Sequence, residues 1–367
     1  MQVWGSSSRI RSKDQWYPPA PYEFFAGIRS VNYGTLDNVV TIANGNMPGG
    51  GGYSGGVLLQ DGRVFCTRGS LGTSAGIYNP ATDSWTTPGG TFPEGNELGG
   101  GATLLKDGRV FILPATATSA LIYDPVADTT TTLTNTSFAD DSFSDMVMMR
   151  DGRIFIAPTD SPTAEIYDPV ADKIVIPSGT YPTGIGFMGV VLMTDGRVLC
   201  VPSNAEAASI YDPITDTVTT TANNTFPGNG RLAHRSGVLL LDGRVLCVPY
   251  STPEVRIYDP RDGSVKVTAQ LTNDQYTHGV LMPDGNVFIS PSASSHAIIY
   301  NPYQEPNIVT PTVDKFPGGE GACCGVVLRD GRIFCVPAGT AAPRIYGNPL
   351  PQPLPWARVL NSYDNHC

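Results

Sequence analysis

The chain has 367 residues and a formal net charge of −10 at pH 7. This charge argues against a nucleic-acid backbone or an anionic membrane surface as the partner of its body. The chain holds 41 glycines, 32 prolines and only 15% charged residues, a composition poor in helix formers and rich in turns, so we expect an all-β architecture.

Residues 1–34 form a basic, aromatic arm ahead of the first repeat. The arm has net charge +2, which leaves −12 for the remainder. Because Trp, Tyr and Arg are frequent hot spots of interfaces, we expect the arm to anchor the chain in a partner; the alternative is that it folds back on its own body. The start lacks the apolar core of a signal peptide, and no apolar run is long enough to enter a membrane. The candidate contact residues are Trp4, Arg9, Arg11, Trp16, Tyr17, Tyr22, Phe24 and Phe25.

An Asp-Gly dipeptide between two apolar runs recurs seven times, at intervals of 42 to 47 residues. An Ile-Tyr landmark follows each dipeptide after 16 or 17 residues. Such a period is typical of the blades of a propeller. The aspartates are Asp61, Asp107, Asp151, Asp195, Asp242, Asp284 and Asp330, and the tyrosines are Tyr78, Tyr123, Tyr167, Tyr211, Tyr258, Tyr300 and Tyr346.

Each unit reads as four short antiparallel strands. In the fourth unit they are predicted at 189–193, 197–201, 209–212 and 217–221. Asp-Gly between β-rich runs predicts a tight hairpin with a type I′ turn, in which both central residues have positive φ. The Arg that follows Asp-Gly in six units is expected to pair across its hairpin or with a neighbouring blade. Seven units predict a seven-bladed β-propeller.

The last unit lacks a fourth strand, because a proline-rich segment follows its Ile-Tyr landmark. The missing strand is found at the other end, where residues 37–48 align without a gap to 216–227. We therefore predict that Val39 to Ile42 closes the ring as the outer strand of the last blade. The expected organisation is an arm (1–34), a propeller (35–348) and a proline-rich tail (349–367).

The units resemble kelch repeats, and most of all the propeller domain of the galactose oxidase family. The matching residues in the first unit are Asp61-Gly-Arg-Val-Phe65, then Ile77-Tyr-Asn-Pro and Trp85. The paired glycines of kelch units are absent, and six units carry Pro near that position instead. The resemblance implies a seven-bladed ring, and in an active oxidase a copper ion held by two His and two Tyr.

The candidates for such a site are few. His234 stands where the family has a copper ligand, but Ala233 precedes it where the family has Tyr, and Tyr276 with His278 is an imperfect copy of a Tyr-His pair. Four cysteines fall in a strand position that Ile takes in other units, so we expect them to be small buried hydrophobes: Cys66, Cys200, Cys247 and Cys335. Three cysteines are off that register and are candidates for a disulfide or for free thiols: Cys323, Cys324 and Cys367.

The sequence therefore favours binding over catalysis, without a cofactor. The loops between blades and between second and third strands should share one face and give a flat docking surface, with His234, Arg235, Tyr250, Tyr276, His278 and His296 as candidates. We expect a structural or adhesin subunit of a virus or phage particle. Its partners would be other proteins of an assembly, copies of itself among them, and a surface glycan or receptor. The alternatives are an intracellular, cytoplasmic kelch-like adaptor and a copper-dependent oxidase.

Overall fold

The structure is a computed structural model, and in its described ranges the chain is built of short antiparallel strands. The first strand, β1 (Val40–Ile42), precedes a 3-10 turn at Pro48–Gly50. None of the described helical segments has the length and apolarity that crossing a bilayer takes. The described residues are 38–50, 52–69, 74–92, 101–114, 119–133, 143–159, 161–182, 186–222, 225–226, 233–271, 276–292, 296–304, 308–312, 322–339 and 342–350.

Four blades follow β1, each with its strands in sequence order. Their bounds are β2 (Tyr53–Leu58), β3 (Val64–Arg68), β4 (Gly76–Asn79) and β5 (Ser84–Thr86) for blade 1; β6 (Ala102–Leu104), β7 (Val110–Ile112), β8 (Leu121–Asp124) and β9 (Thr129–Thr132) for blade 2; β10 (Phe143–Met148), β11 (Ile154–Pro158), β12 (Glu165–Asp168) and β13 (Lys173–Val175) for blade 3; and β14 (Phe187–Leu192), β15 (Val198–Pro202), β16 (Ser209–Asp212) and β17 (Thr217–Thr220) for blade 4.

The last three blades complete the set, and the seventh takes its outer strand from the start of the chain. Blade 7 has the order β1-β28-β27-β26, so the predicted closing strand is confirmed, with its first regular residue at Val40. The bounds are β18 (His234–Leu239), β19 (Val245–Pro249), β20 (Glu254–Asp259) and β21 (Ser264–Gln270) for blade 5; β22 (Tyr276–Leu281), β23 (Val287–Pro291), β24 (Ile298–Asn301) and β25 (Ile308–Pro311) for blade 6; and β26 (Ala322–Val327), β27 (Ile333–Pro337) and β28 (Arg344–Tyr346) for blade 7.

The first strands of the blades surround the axis of the ring. Each of them contacts the first strands of the two neighbouring blades, and β2 contacts β26, so the series closes on itself. The predicted fold class, an all-β ring of seven four-stranded antiparallel blades, is therefore confirmed. Closure buries the sheet faces that an open row of blades would otherwise expose at its two ends.

Aromatic pairs between neighbouring blades explain the two sequence landmarks. Phe65, four residues after its Asp, stacks on Tyr123 of the next blade with ring centroids 4.9 Å apart. Offset stacking of this kind stabilises beyond the area it buries. Blades 4 and 5 carry Leu at the position of the Phe. The other Phe–Tyr pairs, at 4.5 to 5.2 Å, are Phe111–Tyr167, Phe155–Tyr211, Phe288–Tyr346 and Phe334–Tyr78.

The four cysteines of the second strands lie in the core between blades. Cys66, Cys200 and Cys247 are fully buried, and Cys335 nearly so, which confirms them as small hydrophobes. Burial raises the pKa of the Cys247 thiol to about 12. Such a thiol is a poor nucleophile because it stays protonated at neutral pH.

Candidate functional site on the two faces of the ring

The Asp-Gly hairpins all lie on one face of the ring, called here the turn face. In blade 1 the Gly62 N–H donates to the Leu59 carbonyl at 3.1 Å, and the Leu59 N–H donates to the Arg63 carbonyl at 2.8 Å. Gly62 has a φ of 96°, while Asp61 is not among the residues with positive φ. The predicted type I′ turn is therefore wrong. The loop has three residues, of which only the last, the glycine, needs a left-handed backbone.

The Arg after Asp-Gly pairs with the aspartate of its own turn. Arg63 Nε lies 2.7 Å from Asp61 Oδ2, and the same pair forms in blades 2, 3, 4, 5 and 7. In blade 5 the Arg244 guanidinium also donates to the Pro302 carbonyl of blade 6 at 3.1 Å. The prediction of a partner across the hairpin is therefore wrong, because the Asp lies in the turn itself, and the predicted contact with a neighbouring blade is seen for Arg244. These pairs are partly exposed, so each adds little to stability.

The turns between third and fourth strands use an aspartate with a left-handed backbone. Asp128 has a φ of 53°, and its carboxylate accepts hydrogen bonds from the Tyr123 hydroxyl at 2.7 Å and from the Gly89 N–H of blade 1 at 2.8 Å. These two donors lower the pKa of Asp128, the tyrosine being the larger cause. Short polar side chains make such a backbone tolerable. The same pair recurs as Tyr78–Asp83, Tyr167–Asp172 and Tyr211–Asp216.

Both described ends of the chain lie on the turn face at blade 7. Ile333, just after the Asp-Gly turn, pairs with Tyr346, and Tyr346 pairs with Val40, so β1 begins at this face. At the other end the Leu350 N–H donates to the Asp330 carbonyl at 2.8 Å. The segments that precede and follow the described ring are therefore attached to it on the turn face.

A pocket of about 350 Å³ opens on the turn face between blades 1 and 2. In it the Arg109 guanidinium is held by Asp107 at 2.7 Å. The backbone N–H groups of Ala127 and Val126 lower the pKa of Asp124, so that carboxylate is ionised at neutral pH. The pocket thus combines an excess of carboxylates with an apolar wall. Its lining is Leu59, Gln60, Asp61, Asp107, Gly108, Arg109, Asp124, Pro125 and Val126.

The opposite face, called the loop face, holds the six loop-face candidates. Most of the loops around them lie outside the described residues. A register shift in β18 makes Arg235 the extra residue of a bulge, which re-aims a side chain, and its guanidinium lies 5.0 Å from the centre of the Tyr250 ring. Arg235, Tyr250 and His296 are partly exposed, whereas His234, Tyr276 and His278 are buried, with exposed fractions of 0%, 1% and 2%.

The surroundings of His234 do not fit a copper centre that a substrate could reach. Its ring meets Phe226 edge-on with centroids 5.4 Å apart, and burial, followed by the nearby Arg256 cation, lowers its pKa to about 3. A catalytic metal needs an open coordination position, which a ring enclosed in this way does not offer. Within the described ranges, no three His, Cys, Asp or Glu side chains lie close enough together to hold a metal ion.

Two polar groups near the loop face were not anticipated, the buried Asp145 and the partly buried Arg256. The Asp145 carboxylate accepts hydrogen bonds from the Met146 N–H at 2.8 Å and from the Val190 N–H of blade 4 at 2.7 Å, and burial raises its pKa well above the usual range. Arg256 pairs with Glu254 in blade 5. Blades 1, 2 and 4 have a glycine six residues before the Asp of their Asp-Gly turn, and blade 3 has Asp145 at that position. This difference was the only sequence signal for Asp145.

The remaining candidates are only partly covered by the structure. Cys323 and Cys324 are buried at the start of β26. Cys367 lies outside the described residues, so a disulfide with it stays a prediction. The candidate residues of the arm lie outside them as well: Trp4, Arg9, Arg11, Trp16, Tyr17, Tyr22, Phe24 and Phe25.

The fold places the chain in the class of seven-bladed β-propellers. No family profile and no curated protein sequence matches it. It is similar in structure to a catalytically inactive virginiamycin B lyase from Staphylococcus aureus with quinupristin, at a TM-score of 0.66 and 12% identity, covering 84% of this chain and 99% of the lyase.

Two further likenesses come from other kinds of protein. A fungal alcohol oxidase of the AA5 family in complex with copper has a TM-score of 0.62 and 16% identity, over 87% of this chain and 77% of that one. The extracellular domain of a putative hybrid two-component system from B. thetaiotaomicron has a TM-score of 0.63 and 10% identity, over 81% of this chain and 38% of that one. At such identities the likeness shows the fold alone, a fold that enzymes share with other proteins.

Proposed function

We propose that this chain is a non-enzymatic, kelch-type β-propeller that serves as a structural or adhesin subunit of a larger assembly, such as a virus or phage particle. Its N-terminal arm is the anchor. The observation that carries the proposal is the attachment of the arm to β1, the strand that closes the ring. A pull that reaches β1 is carried into blade 7 by the pairing of β1 with β28.

The chemistry of the arm supports this role. Its aromatic and Arg residues are the types that dominate interface energetics, and its charge of +2 opposes the −12 of the remaining chain. Electrostatic complementarity of this kind favours encounter and correct register more than affinity. The loop face, on the far side of the ring, then remains the surface for a receptor or a glycan.

A kelch-type assignment rests on the repeated Asp-Gly-Arg and Tyr-Asp-Pro segments and on Trp85. Trp85 stacks on Tyr53 with ring centroids 5.4 Å apart, and its indole N–H donates to the Asn44 carbonyl at 2.8 Å. It therefore joins blade 1 to the segment that follows the closing strand. The oxidase alternative has no comparable support, because His234 is enclosed within blade 5.

The test compares the mass of the full chain with that of a version lacking residues 1–34, by light scattering, together with elemental analysis for copper. A version lacking residues 352–367 is the matched control, because it loses a segment attached to the same face. We expect the full chain and the control to associate without metal, and the armless ring to stay a folded monomer. Association of the armless ring, or stoichiometric copper on a monomer, would overturn the proposal.

A further inference from the structure

Three successive blades present an exposed aliphatic side chain at the same position of the turn face. Val126, Val170 and Ile214 stand in the turns between third and fourth strands of blades 2, 3 and 4, and their exposed fractions are 95%, 95% and 89%. Blade 1 has Ala81 there and blade 5 has Arg261. A single exposed aliphatic residue needs no explanation, whereas the repeat of one at the same position in three successive blades gives this part of the face a periodic apolar character.

The surroundings of this row are acidic. The turns of blades 2 to 4 carry nine Asp residues and six Lys or Arg residues. The pocket between blades 1 and 2 lies directly beside the row, because Val126 forms part of its wall. A partner that combines apolar or aromatic side chains with positive charge therefore matches this surface. The turns counted are 106–109, 124–129, 150–153, 168–173, 194–197 and 212–217.

The N-terminal arm has this chemistry and leaves its ring on the turn face. Within one copy, however, the described end of the ring lies between β1 and the ring axis. Tyr346 stands next to β1, while Leu350 is bonded to the Asp-Gly turn of blade 7. The chain between Tyr346 and Leu350 therefore runs inward across blade 7. It lies between the first residue of β1 and the axis of the ring.

We propose that the row Val126, Val170 and Ile214, with the adjoining acidic pocket, is the docking surface for the N-terminal arm of a second copy of this chain. Two copies placed turn face to turn face exchange their arms about a twofold axis, so each arm neutralises the acidic face of its partner. The inference rests on the proposed function, since it names the partner that the arm engages.

The test uses the full chain carrying Val126→Ser, Val170→Ser and Ile214→Ser, which keeps its arm but loses the apolar row. These side chains are almost fully exposed, so the changes leave the packing of the ring intact, and far-ultraviolet circular dichroism checks this. Each change should weaken the contact between arm and row by about 10-fold at each of the two docking surfaces, and therefore the dimer by about 100-fold. The matched control carries Ile176→Ser and Val267→Ser, two exposed aliphatic residues elsewhere.

A mixing experiment identifies the arm as the occupant. The triple Ser variant, changed at positions 126, 170 and 214, has an arm without a docking surface. The version lacking residues 1–34 has the surface without an arm. Light scattering should find each of them monomeric alone, and a one-to-one complex when they are mixed. The wild-type chain and the matched control should dimerise.

The outcomes separate this inference from the proposed function. The docking surface is wrong if the triple variant at positions 126, 170 and 214 dimerises as well as wild type, or if the mixture forms no complex. The arm would then bind its own ring or another protein. If the armless version associates by itself, the arm is not the anchor and the proposed function fails. A wild-type chain that stays monomeric at every concentration overturns the inference and the self-association expected of the full chain, and leaves another protein as the partner of the arm.

Discussion

Thr41 of the first strand pairs with Ile345 of the last, although 304 positions separate them in the chain. The pairing gives blade 7 its outer strand. The segment after β1 is also bonded to blade 1, because the Asn44 N–H donates to Asp83 at 2.9 Å and the Asn44 side-chain amide donates to the Asp83 carbonyl at 3.0 Å. The closing strand therefore joins the last blade to the first.

Removal of the closing strand should destabilise the whole ring. Deletion of residues 1–34 leaves every described hydrogen bond in place, whereas deletion of residues 1–44 removes β1 and the contacts of Asn44. At about 0.5–1.5 kcal/mol for each lost hydrogen bond, the longer deletion costs roughly several kcal/mol and exposes an edge. Thermal unfolding followed by circular dichroism should show a much lower Tm for the longer deletion only. Equal Tm values would refute the closure.

The inner strands of blades 4 and 5 lie too close together for a side chain at Gly189. A Cβ added there would lie 2.7 Å from the Ser236 Cα, a backbone atom that cannot turn away. We expect Gly189→Ala to lower the free energy of unfolding by about 1–3 kcal/mol. Gly186→Ala is the control, because the nearest atom to its added Cβ is 3.6 Å away. Denaturant titrations measure both, and an equally stable Gly189→Ala would contradict the close approach of the strands.

The Asp145 carboxylate joins blade 3 to blade 4 through the Val190 N–H. Asp145→Ala leaves the Met146 and Val190 amides without their acceptor, and each buried orphan costs about 1–3 kcal/mol. Asp145→Ser should be milder, because Ser236 in blade 5 uses its hydroxyl to accept from the Gly279 N–H at 3.2 Å. Free energies of unfolding from denaturant titration compare the two variants, and identical losses would argue against the hydrogen bond as the cause.

The buried His234 should make the ring sensitive to acid. The pKa of this histidine falls to about 3 in the folded ring from about 6.5 in an unfolded chain. The unfolded chain therefore binds the proton first, and stability is lost as pH falls from 6.5 toward 3, by up to about 1.4 kcal/mol per pH unit. His234→Phe should remove this dependence of stability on pH. Phe is the residue at the equivalent position of blade 4, Phe187. Urea titrations at pH 7 and pH 4.5 test it; an unchanged slope would contradict the assignment.

The blades could be predicted from the sequence because each landmark has one structural cause. The residue four after Asp and the Tyr of Ile-Tyr meet between blades, so both recur with the blade period. The closing strand was predictable because residues 37–48 copy the end of the fourth unit. The type of hairpin turn was not, since Asp-Gly suits both a two-residue loop and a three-residue loop that begins at Gln60. Only hydrogen-bond positions distinguish the two.

The candidate sites were less predictable, because the position of a residue in a loop or strand does not determine whether its side chain points into the core or toward solvent. His234 and Tyr276 occupy the first positions of their strands, and both side chains turn into the blade. The row of Val126, Val170 and Ile214 is visible in the sequence, but apolar residues in a turn are not recognisable as exposed until the turn is built. Within the ring, the sequence therefore predicted a binding surface on the loop face and none on the turn face.

The most direct test of the account is to find what the arm contacts. Unlabelled and nitrogen-15-labelled full chains are mixed at a dilution where they exchange, concentrated, and treated with a carbodiimide that joins Lys13, the single lysine of the arm, to nearby carboxylates. Mass spectrometry should find Lys13 linked to turn-face aspartates such as Asp107 or Asp124, in peptides that combine labelled and unlabelled halves. Links confined to one copy, or to carboxylates away from the turn face, would contradict the account.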